Sequence, residues 1–114
     1  CPPRPAFAAP FGGVHHGVLR LLAQAAQGAA RHGQWLGVCG AMASAPTAVP
    51  LLIGLGVTEL SASPAIIPEI KALVRRLRLT DCQSAAQAAL QLDSAEAVRA
   101  QVKNTWPWLA ATKT

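Results

Sequence analysis

Tyrosine is absent from this 114-residue chain, and phenylalanine occurs only twice. That scarcity argues against an aromatic stacking platform for single-stranded nucleic acid. Charge is also sparse: charged residues make up 13%, and only five are acidic. Cysteine occurs three times, as Cys1, Cys39 and Cys82, with no CxxC spacing. Neither a disulfide framework nor a zinc site is suggested, and reduced thiols in a cytoplasmic protein are the simplest reading. No apolar run reaches the roughly 18 residues of a membrane span. The nearest approach, residues 48–57, is broken by Pro50, Gly54 and Gly56. The opening Cys-Pro-Pro-Arg lacks the basic stretch and apolar core of a secretory signal.

What is present points to a single helix-rich domain. Hydrophobic residues make up 52% of the chain and 24 residues are alanine. Alanine favours helix but buries little area, so the apolar content overstates the core. The net charge of +5 would suit a polyanion. It arises from few acids rather than many bases, however, and nucleic acid is not the expected partner. The densest basic cluster, Lys71, Arg75, Arg76 and Arg78, reads as the solvated side and last turn of one helix, where cations complement the helix dipole.

Residues 1–13 hold four prolines and two glycines and read as an irregular leader. Apolar residues at three- and four-residue intervals (Val14, Val18, Leu21, Leu22, Ala25, Ala26, Ala29) predict a helix from Val14 to His32, closed by Gly33. Trp35–Gly40 reads as a short buried strand with a thiol at its carboxyl end, where α/β proteins gather chemistry. Pro46 predicts the start of a helix running to Leu55, with Pro50 as an objection. A second strand is predicted at Thr58–Ala62. Ser63-Pro64 then opens a helix carrying Ile66, Ile67, Ile70, Leu73, Val74 and Leu77. Thr80 and Gln83 predict a capping box for the next helix, and Asp93 or Ser94 caps the last. Two strands with a helical crossover imply parallel pairing. Two parallel strands alone leave both edges open, so the pattern reads as part of a larger fold.

Several segments, in order and at the right spacing, carry a resemblance. Gly37-Val-Cys-Gly40, Pro50-Leu-Leu-Ile-Gly-Leu-Gly-Val57, Glu59-Leu-Ser-Ala-Ser-Pro64 and Ile67-Pro-Glu-Ile-Lys71 resemble the end of the phosphoenolpyruvate-binding domain of enzyme I of the bacterial sugar phosphotransferase system. His15–Leu21 resembles the helix preceding the family's cysteine. Ala41 and Met42 look closest to the fused multiphosphoryl transfer proteins of the fructose branch. Many members have an acidic residue where Ala41 stands and Gly-Asp where Ser44-Ala45 stands.

The resemblance implies an α/β fold that is the C-terminal part of a (β/α)8 barrel: about two parallel strands with their helices, helix-rich overall. It divides the chain into the leader at 1–13, the last βα units at 14–79, and C-terminal helices and tail at 80–114. It implies a phosphotransferase that moves a phosphoryl group from phosphoenolpyruvate to a protein histidine in sugar uptake. Pyruvate and a phosphocarrier protein are then partners, and the whole enzyme uses magnesium. Cys39 matches the acid/base that protonates enolpyruvate; a thiol of pKa about 8.5 is a sensible donor near neutrality. Gly40 would let the small substrate approach the backbone, and Ser61 and Ser63 would line the site and cap the next helix. The family's phosphate-binding arginines, magnesium carboxylates and phosphohistidine are not recognisable in this sequence. The chain alone is therefore expected to lack transfer activity and to bind no metal. The alternative is a catalytically inactive self-associating or interaction module, a homo-oligomer pairing its open strand edges. His15 and His16 read as a polar helix start, since adjacent helical residues diverge by about 100°.

Overall fold

The computed structural model describes residues 16–40, 43 and 45–111. The expected leader, Val14, His15, Ala41, Met42 and Ser44 lie outside them. The elements run α1 (His16–Arg31), β1 (Gly37–Cys39), α2 (Val49–Leu55), β2 (Glu59–Ser61), α3 (Ile67–Arg75), α4 (Leu79–Ala89), α5 (Ala95–Thr105) and a closing 3₁₀ turn (Pro107–Ala111). The strands pair in parallel as a two-stranded sheet. The expected order of helices and strands therefore stands, while several boundaries move.

The helix expected from Pro46 begins at Val49, with Pro50 in its first turn. There proline's missing N–H has no intrahelical partner to lose, so the residue read as an objection marks the start. Residues 46–48 form a turn instead. Gly56 closes α2 at φ 105°, donating its N–H to the Ile53 carbonyl. Only glycine enters that region without steric cost.

α3 likewise starts later than Ser63-Pro64 suggests. Its N-cap is Ile66, with no side-chain cap and Pro68 in the first turn. Ser63 contributes its carbonyl, which accepts from Ile66 N at 3.1 Å. The serine cap expected there does not form. Nor does the Thr80–Gln83 capping box. α4 begins at Leu79 behind Arg78, which offers no side-chain cap, so Thr80 already lies inside the helix. The cap expected on the last helix does form: Ser94 Oγ accepts from Ala97 N at 3.1 Å.

α1 presents a face rotated from the one its periodicity suggests. Leu19 and Ala26 are buried, with Leu22 and Ala23 half-buried against the core, whereas Leu21 is 67% exposed. In an alanine-rich helix several stripes have similar apolar content, and the neighbouring elements choose among them. Arg20 contributes to that choice. Its guanidinium donates to the Leu90 and Leu92 carbonyls, each at 3.3 Å. Those acceptors lie at the C-terminal end of α4, where helical carbonyls lack partners and a cation is favoured.

The centre of the molecule is the short helix α2. Val49, Pro50, Leu51, Leu52 and Leu55 are all buried. α1, α3 and above all α4 pack around it. One continuous core joins these residues to Leu19, Ile70, Leu73, Cys82, Val98, Val102, Trp106 and Leu109. The tail is held at two points. Trp106 is buried, and Arg76 stacks over the Trp108 ring at 3.8 Å from its centroid, a cation–π contact between the end of α3 and the 3₁₀ turn.

Candidate functional site

β1 and β2 are in register, with Gly37 opposite Glu59, Val38 opposite Leu60 and Cys39 opposite Ser61. Side chains alternate faces along a strand, and residues paired across parallel strands share a face. Val38 and Leu60 pack against the core. Gly37, Cys39, Glu59 and Ser61 therefore occupy the opposite face, turned from the helices. The register brings Cys39 and Ser61 together at the carboxyl ends of adjacent strands, about 4.8 Å apart across the ladder. Cys39 is half-buried and Ser61 exposed.

Two features fix this arrangement. Below the ladder, Thr58 ties the strand entrances together. Its N–H donates to the Leu36 carbonyl at 2.9 Å, while its hydroxyl donates to that oxygen at 3.2 Å and faces Leu36 N at 3.3 Å. Above the ladder, Gly40 has φ 89°, and a Cβ there would meet no atom of the described residues within 4 Å. In this chain the left-handed backbone, rather than crowding, is what calls for glycine directly after the thiol.

Ser63 lies beyond the strand, exposed, in the loop leading to α3. The register does not pair it with the thiol. Glu59 went unremarked as a site residue in the sequence, although it is the one acid on either strand and shares the face of Cys39 and Ser61. The alternation Glu59-Leu60-Ser61 was the available signal: a half-buried strand places its first and third residues together.

The cysteines differ in chemistry. Cys39 is disulfide-bonded in this structure, which corrects the expectation of three reduced thiols. Cys82 is free and fully buried. Burial, helped by the neighbouring Asp81 carboxylate, raises its pKa above the ordinary 9.0. Cys82 thus stays protonated and behaves as a small apolar core residue.

Among the described residues, no three His, Cys, Asp or Glu side chains gather as a metal site. Glu59, the single carboxylate on the strand face, would leave most of magnesium's six oxygen positions to groups other than these residues. No step below runs through a metal. No helix among the described residues is long and apolar enough to cross a membrane.

This geometry accords with the comparisons. Residues 4–79 match the PEP-utilising enzyme family in its PEP-binding domain. The multiphosphoryl transfer protein of Xanthomonas campestris pv. campestris is 45% identical over 96 residues, covering 84% of this chain and 12% of the relative. The phosphoenolpyruvate-protein phosphotransferase of Mycoplasma genitalium is 39% identical over 87 residues, covering 76% and 15%. A phosphoenolpyruvate-dependent phosphotransferase system protein of Salmonella typhimurium is 38% identical over 92 residues, covering 81% and 12%. The chain thus spans about an eighth to a seventh of the length of these relatives. With a matching segment covering most of its length, the chain belongs to the PEP-utilising enzymes, as part of their PEP-binding domain.

Proposed function

We propose that this chain supplies the last two strands of a (β/α)8 phosphoenolpyruvate-binding barrel, in which Cys39 gives a proton to enolpyruvate. The observation that carries this reading is the in-register pairing of Cys39 with Ser61 at the carboxyl ends of two parallel strands, the edge where barrel enzymes place their chemistry. In the whole protein, phosphoryl transfer to a histidine leaves the enolate of pyruvate. The electron pair of its carbon–carbon double bond takes the Cys39 S–H proton at the terminal carbon. Pyruvate forms with a methyl group, and the thiolate remains to be reprotonated. Only the reduced form of Cys39 has that proton. Ser61 and Ser63 line the site, and Gly40 leaves room for the substrate. The arginines, the magnesium carboxylates and the phosphohistidine come from outside this sequence, and the phosphocarrier protein is the next acceptor. The setting is cytoplasmic sugar uptake.

The test is a chimera in which residues 4–79 replace the matching segment of the Xanthomonas relative. Phosphoryl transfer from phosphoenolpyruvate to a phosphocarrier protein is expected from the chimera and not from the 114-residue chain. A folded chimera without transfer would overturn the reading.

The small, two-stranded size of the sheet formed by the described residues favours a second reading, a self-associating module without catalysis. Light scattering across a concentration series separates the two: a mass that grows with concentration supports association, and a constant monomer mass removes it.

A further inference from the structure

We infer that the groove between β2 and α3 is the seat of a strand from the rest of the intact domain. That strand turns apolar side chains into the groove and a carboxylate toward Lys71 and Arg75. This rests on the reading of the chain as part of a larger domain. The groove has a volume of about 370 Å³. Leu60 of β2, Ile53 of α2, and Ile70 and Val74 of α3 form its apolar wall. Among the described residues, none from α1 or β1 lines it, so it opens on the side of β2 away from β1. Val74 is 38% exposed there, although Ile70, one turn earlier on the same row of α3, is buried.

Lys71 and Arg75 also lie one turn apart on α3, so they share one side of the helix and make the charged rim of the groove. No carboxylate lines it among the described residues. Arg76, next in sequence, is turned to the Trp108 ring instead. An occupant that covers the apolar wall must also answer the two cations, because desolvating an unpaired cation is costly.

That requirement selects the source. Residues 1–15, 41, 42, 44 and 112–114 hold no Asp or Glu, so no other segment of this chain brings the acid. A second copy is a poor match, since it carries the same net charge of +5, with five acids against ten bases. The relatives are far longer: the matched region is 12% of the Xanthomonas protein and 15% of the Mycoplasma genitalium protein. A further strand also meets a physical need. Parallel strands are stable in wider, covered sheets, and main-chain pairing beside β2 would extend this one.

The experiment places a thiol on the groove wall and compares the 114-residue chain with the chimera. In Val74→Cys, iodoacetamide alkylation at position 74 is followed by peptide mass spectrometry, which separates that site from the other cysteines. The rate is expected to be about tenfold or more slower in the folded chimera than in the chain, because a covered thiol reacts only through local opening. Ala72→Cys, at an exposed position of α3 outside the groove lining, should react alike in both. Combining Lys71→Glu with Arg75→Glu should remove most of the protection in the chimera and lower its urea midpoint. The midpoint of the chain should move much less, since both residues are exposed in it. Equal rates at position 74 in chain and folded chimera, or protection untouched by the double reversal, would overturn the inference. So would slow reaction in the chain that deepens with its concentration, which would make a second copy the occupant. A chimera that unfolds where the Xanthomonas parent folds would overturn it too, because this chain would then not seat in such a domain. Alkylation and unfolding do not read phosphoryl transfer, so a folded but inactive chimera still decides this point.

Discussion

Gly54→Ala is expected to destabilise the chain by about 3 kcal/mol, the upper part of the range for overpacking a core. Gly54 lies where α2 meets α4. A Cβ there would overlap the Cys82 carbonyl oxygen and sit 2.9 Å from Ala86 Cβ. The obstacle is helical backbone, which cannot rotate aside as a flexible side chain would. The two helices would have to separate, opening the core around Leu51, Leu52, Cys82 and Ala86, all buried. Urea unfolding of both proteins measures the loss. Gly28→Ala is the control: a Cβ there meets nothing among the described residues within 4 Å, and Gly28 sits within α1. Helix propensity then predicts a gain of up to about 1 kcal/mol. Equal stability of Gly54→Ala and the parent would mean that α2 and α4 do not touch at this point.

Cys39→Ala carries the second large effect, and it concerns chemistry. In the active chimera, exchange of solvent deuterium into the methyl group of pyruvate is expected to fall by about 10²–10⁴-fold, the usual worth of a positioned acid or base. Phosphoryl transfer should fall less, because released enolpyruvate can take a proton from water. Cys39→Ser keeps a hydroxyl at that position but lacks a group of suitable pKa, so it should behave like alanine in the exchange assay. Unaltered exchange in a folded Cys39→Ala chimera would remove the thiol from the mechanism.

The two substitutions mark the division between what was legible in the sequence and what was not. The thiol announced itself: an apolar run, a cysteine and a glycine ending a strand, followed by motifs at fixed spacing. Gly54 gave no such sign. In sequence it is one of a pair of glycines closing a helix, and Gly56 does that work. Gly54 instead permits the close approach of α4, whose first residue lies 25 positions later. Nothing local encodes that contact.

The same distinction runs through the rest of the chain. Local chemistry determined which segments became helix and which strand, the left-handed glycine after α1 and the Ser94 cap. These depend on backbone conformation and on hydrogen bonds within a few residues. Sequence alone also carried the family, because its motifs are ordered along the chain. Tertiary structure decided the rest. It set which alanine-rich face of α1 is buried, through Arg20 reaching the end of α4. It made α2 the hub of the core, because a short helix surrounded on several sides buries more area than a two-stranded edge. It also placed Glu59 beside Gly37 and Ser61 beside Cys39, since the register between two strands twenty residues apart is set by the packing of Val38 and Leu60 and by the Thr58 bridge, not by either strand alone.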